Sequence, residues 1–497
     1  MSTVSNVLFL LFYTLNFILI LFILFFERQE SSRRFAWLLT LVFLPVIGIA
    51  LYVLFSGHFF TKTKKMTKAK AFIGRNLSQH LETQMEYVKR EIEGNTHPLL
   101  TEFGSLINLN ILLGNSPITL NNTVDMFLWG KDKFARLIED IENAKDSINI
   151  EYFTFRNDAI GSRIMDLLCQ KAKEGLSVRF IYDDFGSILT PSSFFNRLKK
   201  AGGQVTPFFP VRAGMIFSMN YRNHRKIVVI DGKIGYTGGF NVGDEYVNQS
   251  RYRKVLWRDT HVRLTGKSVH YLQLIFLIDW YSVCMDDKTL EDKIAIARFF
   301  PVTDSPDPDH PNTRNEDIPI QIVSSGPNDH NTEIRDAMIR LIMSAREYVY
   351  IQSPYFTPDE AFYEALKITA LSGIDVRIMV PDKWDKFYVK AAAMEYIREM
   401  LNFGIRFYHY PGFIHSKSIV ADGKAVTIGT TNIDTRSFAL HFEVNAFFYS
   451  SSFGKECETI FLEDQKKCRQ SCKEDYEKRF ILARAWWGFC KLFSTLM

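Results

Sequence analysis

A short pattern of chemically active side chains occurs twice in this 497-residue chain. In each copy a histidine is followed by lysine at +2, aspartate at +7, glycine at +14 and asparagine at +17. The first copy is His224, Lys226, Asp231, Gly238 and Asn241, and the second is His415, Lys417, Asp422, Gly429 and Asn432. Because chance does not produce the same four spacings twice, we predict one active site built from both copies.

These residue types suit chemistry at a phosphate group. An imidazole can attack phosphorus or move a proton, while lysine and asparagine can hold phosphoryl oxygens and stabilise the added charge. Displacement through a covalent intermediate needs a nucleophile on one side and an acid on the other, and two facing copies supply both. This chemistry needs no metal, and the sequence has no obvious carboxylate cluster to bind one. We therefore predict no metal and no other cofactor.

Each copy also has the pattern of a β-hairpin. Side chains two apart on a strand point the same way, so His224 and Lys226 share a face. The apolar run 227–230 then fixes the strand in a sheet, and Asp231-Gly232 is a two-residue turn signal that Asp422 repeats with its own glycine. We include both aspartates among the catalytic candidates. The sequence leaves open whether they act directly or only hold the turn.

Strand and helix patterns repeat on the same scale as the motif. Alternating strands and helices predict an α/β fold, with a mixed sheet covered by helices on both faces. Glu151 and Gln352 fall at equivalent places in the two halves. The predicted helices are 134–144, 161–175, 332–345 and 359–372, and the predicted strands are 147–153, 177–182, 347–356 and 374–380.

The domain prediction follows from this repeat and from changes in composition. The segment between the halves is polar and rich in proline, which is typical of a linker. We predict two membrane helices in 1–60, a basic connecting region with one amphipathic helix (77–93) in 61–120, a first α/β domain in 121–302, a linker in 303–317 and a second α/β domain in 318–497.

The N-terminal part predicts a membrane hairpin. Residues 1–26 and 35–61 carry no charged side chain, and each run exceeds the ~20 residues needed to cross a bilayer. A signal peptide is disfavoured because there is no basic start and a second apolar run follows at once. Several lysines follow residue 61, which places the catalytic domains on the cytoplasmic side of the cell membrane. We also expect Pro45 to kink the second helix.

Charge and cysteine usage restrict the partners. The net charge is +5, which without a basic patch does not predict binding to nucleic acid. The six cysteines form no Cys-x-x-Cys pair, and this suits reduced thiols in the cytoplasm. The lysines after residue 61 could hold the protein against anionic lipid or could simply form a solvated linker.

With these residues in view, the chain resembles the phospholipase D superfamily, whose signature is His-x-Lys-x4-Asp with a downstream glycine and asparagine. Within it, the chain looks most like the bacterial cardiolipin synthases, and the resemblance covers nearly its whole length. Neither copy of the signature departs from the pattern. Further segments similar to that family are 36–48, 257–261, 324–327, 351–356, 435–438 and 442–445.

The resemblance implies two α/β domains in a pseudo-twofold arrangement and a two-step phosphatidyl transfer between two phosphatidylglycerol molecules. It assigns the attack to His224 and the acid and base roles to His415. It also implies that an acidic residue downstream of each histidine orients the ring, and by position the candidates are Asp259 and Glu443. Lys226, Lys417, Asn241 and Asn432 would hold the phosphate.

Other functions remain open at this stage. A membrane phospholipase D that hydrolyses lipid or exchanges another headgroup would carry the same motifs. A nuclease is disfavoured by the apolar N-terminal runs, and a scaffold without activity is disfavoured by two intact signatures. The C-terminal run 480–493 has paired tryptophans and basic flanks, so it could lie in the membrane interface or pack against the second domain.

Overall fold

The computed structural model describes residues 2–26, 31–55, 98–211, 221–250, 255–284, 298–301, 317–327 and 332–494, together with residues 86, 90 and 94. The predicted amphipathic helix at 77–93 and the predicted linker at 303–317 lie almost entirely outside the described residues. The strands and helices expected in both halves of the chain lie inside them.

The N-terminal helices are Ser2–Phe25, Ser31–Phe43 and Pro45–Phe55. The second apolar run is broken before Pro45, because proline lacks the N–H group that a continuous helix needs. The helices contact each other, and Asn16 Nδ2 donates a hydrogen bond to the carbonyl oxygen of Leu41 (3.1 Å). No helix in the described part of the chain meets the length and apolarity needed to cross a membrane. The prediction of two spans is therefore not confirmed.

The strands of the described residues are β1 (Ile118–Thr119), β2 (Thr123–Phe127), β3 (Ser147–Tyr152), β4 (Ser177–Asp183), β5 (Gln204–Phe208), β6 (Arg222–Asn223), β7 (Ile227–Ile230), β8 (Ile234–Gly238), β9 (Trp257–Arg258), β10 (His261–Thr265), β11 (Ile320–Ser325), β12 (Tyr348–Gln352), β13 (Phe356–Thr357), β14 (Asp375–Pro381), β15 (Arg406–Tyr410), β16 (Phe413–Ile414), β17 (Ser418–Ala421), β18 (Ala425–Gly429), β19 (Ile433–Asp434), β20 (His441–Tyr449) and β21 (Arg469–Gln470). They form two large mixed sheets of the same topology. The first has the order β2-β10-β8-β7-β3-β4-β5, and the second contains the equivalent order β11-β20-β18-β17-β12-β14-β15.

Four of the helices that cover these sheets were predicted, and they match the predictions to within four residues at each end. Those of the first half are Gly130–Asn143, Ala159–Lys173, Ser192–Lys200 and Ser268–Val283. The helices Pro98–Glu102 and Gly104–Gly114 come earlier in the chain but pack in the core of the second half. Those of the second half are Glu333–Ser344, Glu360–Leu371, Phe387–Met400, Thr435–Ala439, Ser451–Gln465, Glu474–Glu477 and Ile481–Leu492, with a 3₁₀ turn at Leu401–Phe403. The fold is mixed α/β, as the repeat predicts.

The hairpin strands are buried on both faces, because helices and the other half cover them. The helix Ser268–Val283 is buried around most of its surface, which suits an element enclosed between layers. One continuous core joins the halves: Ile227 and Val229 of β7, Phe276 of this helix, and Val444 and Phe448 of β20 belong to it. The two halves are therefore packed as one body around the hairpins.

Candidate active site

Two short strand pairings bring the hairpins of the two halves together. The residues before His224 (β6) pair in parallel with the start of β20, and those before His415 (β16) pair in parallel with β9. The His224 backbone N–H donates to the carbonyl of Phe442 (2.9 Å), and that of His415 donates to the carbonyl of Arg258 (2.6 Å). His224 is thus anchored to β20, which carries Glu443, and His415 to β9, which Asp259 follows directly.

The acidic partners are exchanged between the halves as a result. His224 Nδ1 lies 2.9 Å from Glu443 Oε1, and His415 Nδ1 lies 2.6 Å from Asp259 Oδ2. Both carboxylates are fully buried. Sequence order alone suggests that each acid serves the histidine upstream of it in its own copy, and this pairing is wrong. The strand pairings across the halves are the reason.

The environment of each carboxylate fixes its position. Glu443 also accepts a hydrogen bond from Thr430 Oγ1. Asp259 Oδ1 accepts one from the N–H of Thr260 (2.7 Å), and a Cβ atom at Gly239 would lie only 1.9 Å from this oxygen. A carboxylate at Nδ1 favours the tautomer whose Nδ1 carries the proton, which leaves Nε2 free to act on substrate. The small residues at the end of each hairpin therefore make room for the polar groups beside it.

The two lysines lie beside the histidines and are buried with them. Each Nζ donates to the carbonyl oxygen of the histidine two residues before it, Lys226 to His224 and Lys417 to His415. Burial lowers the pKa of Lys226 to about 7 and that of Lys417 to about 8, although nearby carboxylates oppose the shift. Two desolvated ammonium groups in one enclosed space form a strong site for an anion.

The charges of the two copies affect each other's histidines. Burial, followed by the charges of Lys226, Lys417 and His415, lowers the pKa of His224 well below its usual value. Burial and Lys417 lower the pKa of His415 to about 4, against the opposing charge of Asp259. Residues from the two copies lie close enough to affect each other's charge. A bound phosphate would oppose the lysines and raise the pKa of both imidazoles.

The two asparagines are both buried but are held differently. Asn241 donates to the hydroxyl of Tyr246 (2.8 Å) and accepts from the N–H of Thr154 (3.1 Å). Asn432 Nδ2 lies 3.4 Å from Ser437 Oγ, and its buried Oδ1 has no hydrogen-bond partner among the described residues. Their role in holding phosphate stays a prediction.

The two aspartates of the motif lie at the hairpin turns. Asp231 has a left-handed backbone (φ 53°) and its carboxylate accepts from the N–H groups of 145–147 at 2.7 to 2.9 Å. Asp422 (φ 52°) does the same with the N–H groups of 346–348 at 2.8 to 2.9 Å. Their oxygens are used to join each hairpin to the start of the adjacent strand. Of the two roles that the sequence left open, these contacts favour the structural one.

A buried polar network behind His224 was not identified from the sequence. Asn223 donates to Glu151, and Arg225 pairs with Asp279 of the helix Ser268–Val283. Burial and the nearby Asp279 raise the pKa of Glu151 well above its usual value. In the sequence, the one sign of this network was that Glu151 and Gln352 occupy equivalent positions in the repeat. The alternation of side chains puts 223 and 225 on the opposite face from His224.

One group of side chains has the donors of a metal site. Ligand atoms of His224, His441 and Glu443 all lie within 4.8 Å of one another, and two histidines with a carboxylate are typical ligands of zinc. Glu443, however, already accepts from His224 and Thr430. A metal here would occupy the ring that the phosphate chemistry needs, so we do not assign one. The predicted absence of a cofactor stays a prediction.

Comparison with known proteins identifies a family for the whole chain. The family model described as "Cardiolipin synthase, PLD-like domain" matches residues 137–276 and 338–465, and the model described as "Phospholipase_D-nuclease N-terminal" matches residues 14–57. Each matched segment of the first model thus contains the histidine and lysine of one copy of the motif.

Curated relatives match over almost their full length. The chain is 40% identical to a protein named cardiolipin synthase from Listeria monocytogenes serotype 4a (strain HCC23), over 95% of this chain and 94% of the relative. It is 39% identical to the major cardiolipin synthase of Bacillus subtilis (strain 168) over 100% of both. The solved phosphatidylserine synthase of Haemophilus influenzae Rd KW20 has a similar fold, with a TM-score of 0.59 at 14% identity over 78% of this chain and 99% of that one. The chain belongs to the cardiolipin synthase family of phospholipase D-like proteins.

Proposed function

We propose that the protein is a phosphatidyltransferase that makes cardiolipin and glycerol from two molecules of phosphatidylglycerol. The observation that carries this proposal is the convergence of two buried histidines, each backed by a carboxylate, with two buried lysines. Such a site suits a phosphodiester, which is the group that links the headgroup to a phospholipid. The family membership of the whole chain supports the choice of substrate.

The reaction has two displacements at one phosphorus atom. In the first, Nε2 of one neutral histidine forms a bond to phosphorus, the bond from phosphorus to the glycerol oxygen breaks, and the other histidine gives its proton to that oxygen. In the second, the terminal hydroxyl of another phosphatidylglycerol gives its proton to this second histidine. Its oxygen then bonds to phosphorus as the phosphorus–nitrogen bond breaks. By resemblance, His224 attacks and His415 is first the acid and then the base.

The remaining residues stabilise charge during both steps. Lys226 and Lys417 hold the phosphoryl oxygens, with Asn241 and Asn432 as further donors, and no cofactor is required. Glu443 and Asp259 orient the two imidazoles and stabilise the imidazolium form of each. The bound phosphate supplies the negative charge that raises the pKa of His415 from about 4 toward a value suited to an acid.

Aromatic side chains around the histidines favour transfer over hydrolysis. The ring centroid of Phe153 is 5.0 Å from that of His224, and those of Trp257 and Tyr246 are 5.4 and 6.0 Å from that of His415. Apolar walls exclude water and leave a lipid alcohol as the favoured acceptor. A site of this kind also needs direct access to membrane lipid.

The C-terminal helix Ile481–Leu492 offers a means of reaching lipid. One side packs on the helix Phe387–Met400, where Lys491 pairs with Glu399 and Tyr396 contacts Ser494 (3.1 Å). The other side exposes large apolar side chains, which suits insertion into the membrane interface. Those more than 40% exposed are Phe480, Ile481, Leu482, Trp486, Phe489, Leu492 and Phe493.

We further propose that the N-terminal helices form a membrane hairpin in the cell membrane and that the catalytic domains lie on the cytoplasmic side. The uncharged runs at 1–26 and 35–61 and the lysines that follow support this arrangement. Labelling of introduced cysteines in intact cells tests it. A residue in 27–34 is expected to react with an impermeant reagent added outside, and one in 62–70 is not.

Incubation of the purified protein with phosphatidylglycerol alone tests the proposed reaction. We expect equal amounts of cardiolipin and glycerol, unaffected by a metal chelator. His224→Ala and His415→Ala are expected to abolish both products. Phosphatidic acid in place of cardiolipin would instead identify a hydrolase, and full synthesis by either alanine variant would exclude the mechanism.

A further inference from the structure

The surroundings of the two histidines differ in charge, although the repeat makes their positions equivalent. Two residues before His224 is Arg222, and its register partner on β20 is His441. Two residues before His415 is Phe413, and its register partner on β9 is Trp257. One histidine therefore lies beside an arginine and a second imidazole, and the other lies between aromatic rings.

Arg222 is buried without the hydrogen bonds that a guanidinium normally makes. Its side chain is 2% exposed, and none of its three nitrogens has a hydrogen-bond partner among the described residues. Phe185, a partly exposed residue, covers it with its ring centroid 4.6 Å from the guanidinium carbon. Burying an unpaired charge is costly, so such groups are normally paired or serve to bind a ligand.

A second arginine, from the other half, adds to the positive charge. Arg436 is half-buried, and its charge contributes, after burial, to lowering the pKa of Arg222 and of His441. Asp183 lies near Arg222 and opposes this potential, but its oxygens accept three backbone N–H groups at 2.9 to 3.0 Å. Asp434, near Arg436, accepts from the N–H of Ser437 (2.7 Å). The nitrogens of Arg222 thus lack a partner among the described residues, and an anion would reach them by displacing the Phe185 ring.

We propose that Arg222, with His441 beside it, forms a second anion site that holds the phosphate of the acceptor phospholipid while its glycerol hydroxyl attacks, and that Arg436 adds positive charge to this site. This inference rests on the proposed function and adds the residues that select a phospholipid acceptor. A guanidinium binds a phosphodiester through paired N–H groups, which fits its planar geometry.

The acceptor phospholipid carries its own phosphate close to the hydroxyl that attacks. The attacking oxygen of a glycerol headgroup is five bonds from its own phosphorus, a path of about 7.5 Å that bond angles shorten to an end-to-end reach of roughly 6 Å. Water and free glycerol have no phosphate to place here. The site would therefore favour a second phospholipid over both.

Comparing two acceptors in one enzyme tests this proposal. Cardiolipin synthesis needs the second phosphate, whereas exchange of labelled glycerol into phosphatidylglycerol passes through the same phosphatidyl-histidine without it. Arg222→Met keeps an apolar chain of similar length and removes the unpaired charge, so it is expected to fold. We expect it to lower cardiolipin synthesis by about 10-fold to about 100-fold, through the KM for the acceptor, and to change glycerol exchange by less than about twofold.

Three further variants sharpen the result. Arg436→Gln is also expected to lower cardiolipin synthesis. Arg222→Lys is expected to keep part of the synthesis that Arg222→Met loses, because lysine keeps the positive charge but lacks the paired N–H groups of a guanidinium. Arg197→Gln, which removes an exposed arginine paired with Asp166, is the control for lost charge and is expected to leave both reactions unchanged.

The outcomes separate this proposal from the proposed function. Equal losses of synthesis and exchange in Arg222→Met, or no loss of either, would overturn the anion site while wild-type cardiolipin synthesis still supports the reaction. Wild-type protein that yields only phosphatidic acid would overturn the proposed function and this inference with it.

Discussion

Replacing Glu443 with glutamine tests how the two halves cooperate. The change keeps the size of the side chain but removes the charge that His224 Nδ1 faces at 2.9 and 3.0 Å. A hydrogen bond to a charged group contributes about 1.5 to 3 kcal/mol, which corresponds to a rate loss of about 10-fold to 150-fold. Glutamine can also donate its amide N–H to Nδ1, which favours the tautomer with the proton on Nε2. Loss of the correct tautomer can reach about 10⁴-fold in kcat. We therefore expect kcat to fall by between about 10-fold and about 10⁴-fold.

The exchanged pairing gives this prediction a specific signature. If His224 attacks, Glu443→Gln is expected to slow formation of the phosphatidyl-enzyme, so little of it accumulates. Asp259→Asn is instead expected to weaken His415 as acid and base and to let the intermediate persist once formed. Rapid acid quench followed by mass spectrometry of the histidine-containing peptides measures both.

A partly exposed carboxylate provides the matched control. Glu102 pairs with Lys424 (2.9 Å), and Glu102→Gln is expected to change kcat by less than about twofold. Melting temperatures within a few degrees of wild type show that a variant has kept its fold. The exchanged pairing would be refuted if Glu443→Gln behaved like a His415 variant, and the orienting role would be refuted if it left kcat unchanged.

Three further predictions follow from other parts of the structure. Asp422→Ala removes the acceptors of three backbone N–H groups, so we expect a loss of about 3 kcal/mol in the free energy of unfolding, measured by denaturant titration. The folded fraction is expected to keep a near-normal kcat. A loss of activity at full stability would contradict this structural role. The pKa values of Lys226 (about 7) and Lys417 (about 8) predict that kcat/KM falls as pH rises through 7 to 8, because the charged ammonium groups hold the phosphate. A pH profile that stays flat to pH 9 would show that the two lysines are not needed as cations. Replacing Trp486 and Phe489 together with serine is expected to weaken flotation with phosphatidylglycerol vesicles, and unchanged flotation would exclude this face as a lipid contact.

Much of the architecture could be predicted from local patterns. The alternation of apolar residues and the turn at Asp231-Gly232 depend on near neighbours in the chain, and the structure has the hairpin where they predict it. The repeated spacing also indicated that both copies are needed, since one copy supplies a single histidine. Burial of both histidines and both lysines agrees with this interpretation.

The roles of individual polar residues needed the fold. Asp231 was among the catalytic candidates because its spacing from the histidine is the same in both copies. Spacing alone, however, does not distinguish a side chain that faces substrate from one that stabilises a turn. Its three backbone donors come from residues 145–147, more than eighty positions away. Asn223 and Arg225 likewise gain their roles from Glu151 and Asp279, which only the packed sheet and helix bring near.

The sequence by itself determined which residue types are available, that they occur in two equivalent sets, and that each set sits on a hairpin. Only the tertiary structure decided that Glu443 serves His224 and Asp259 serves His415. It also decided that the equivalent neighbours Arg222 and Phe413 give the two histidines unlike surroundings. The physical reason is that a strand pattern specifies a face and a period, whereas the choice of partner strand depends on how two whole sheets pack.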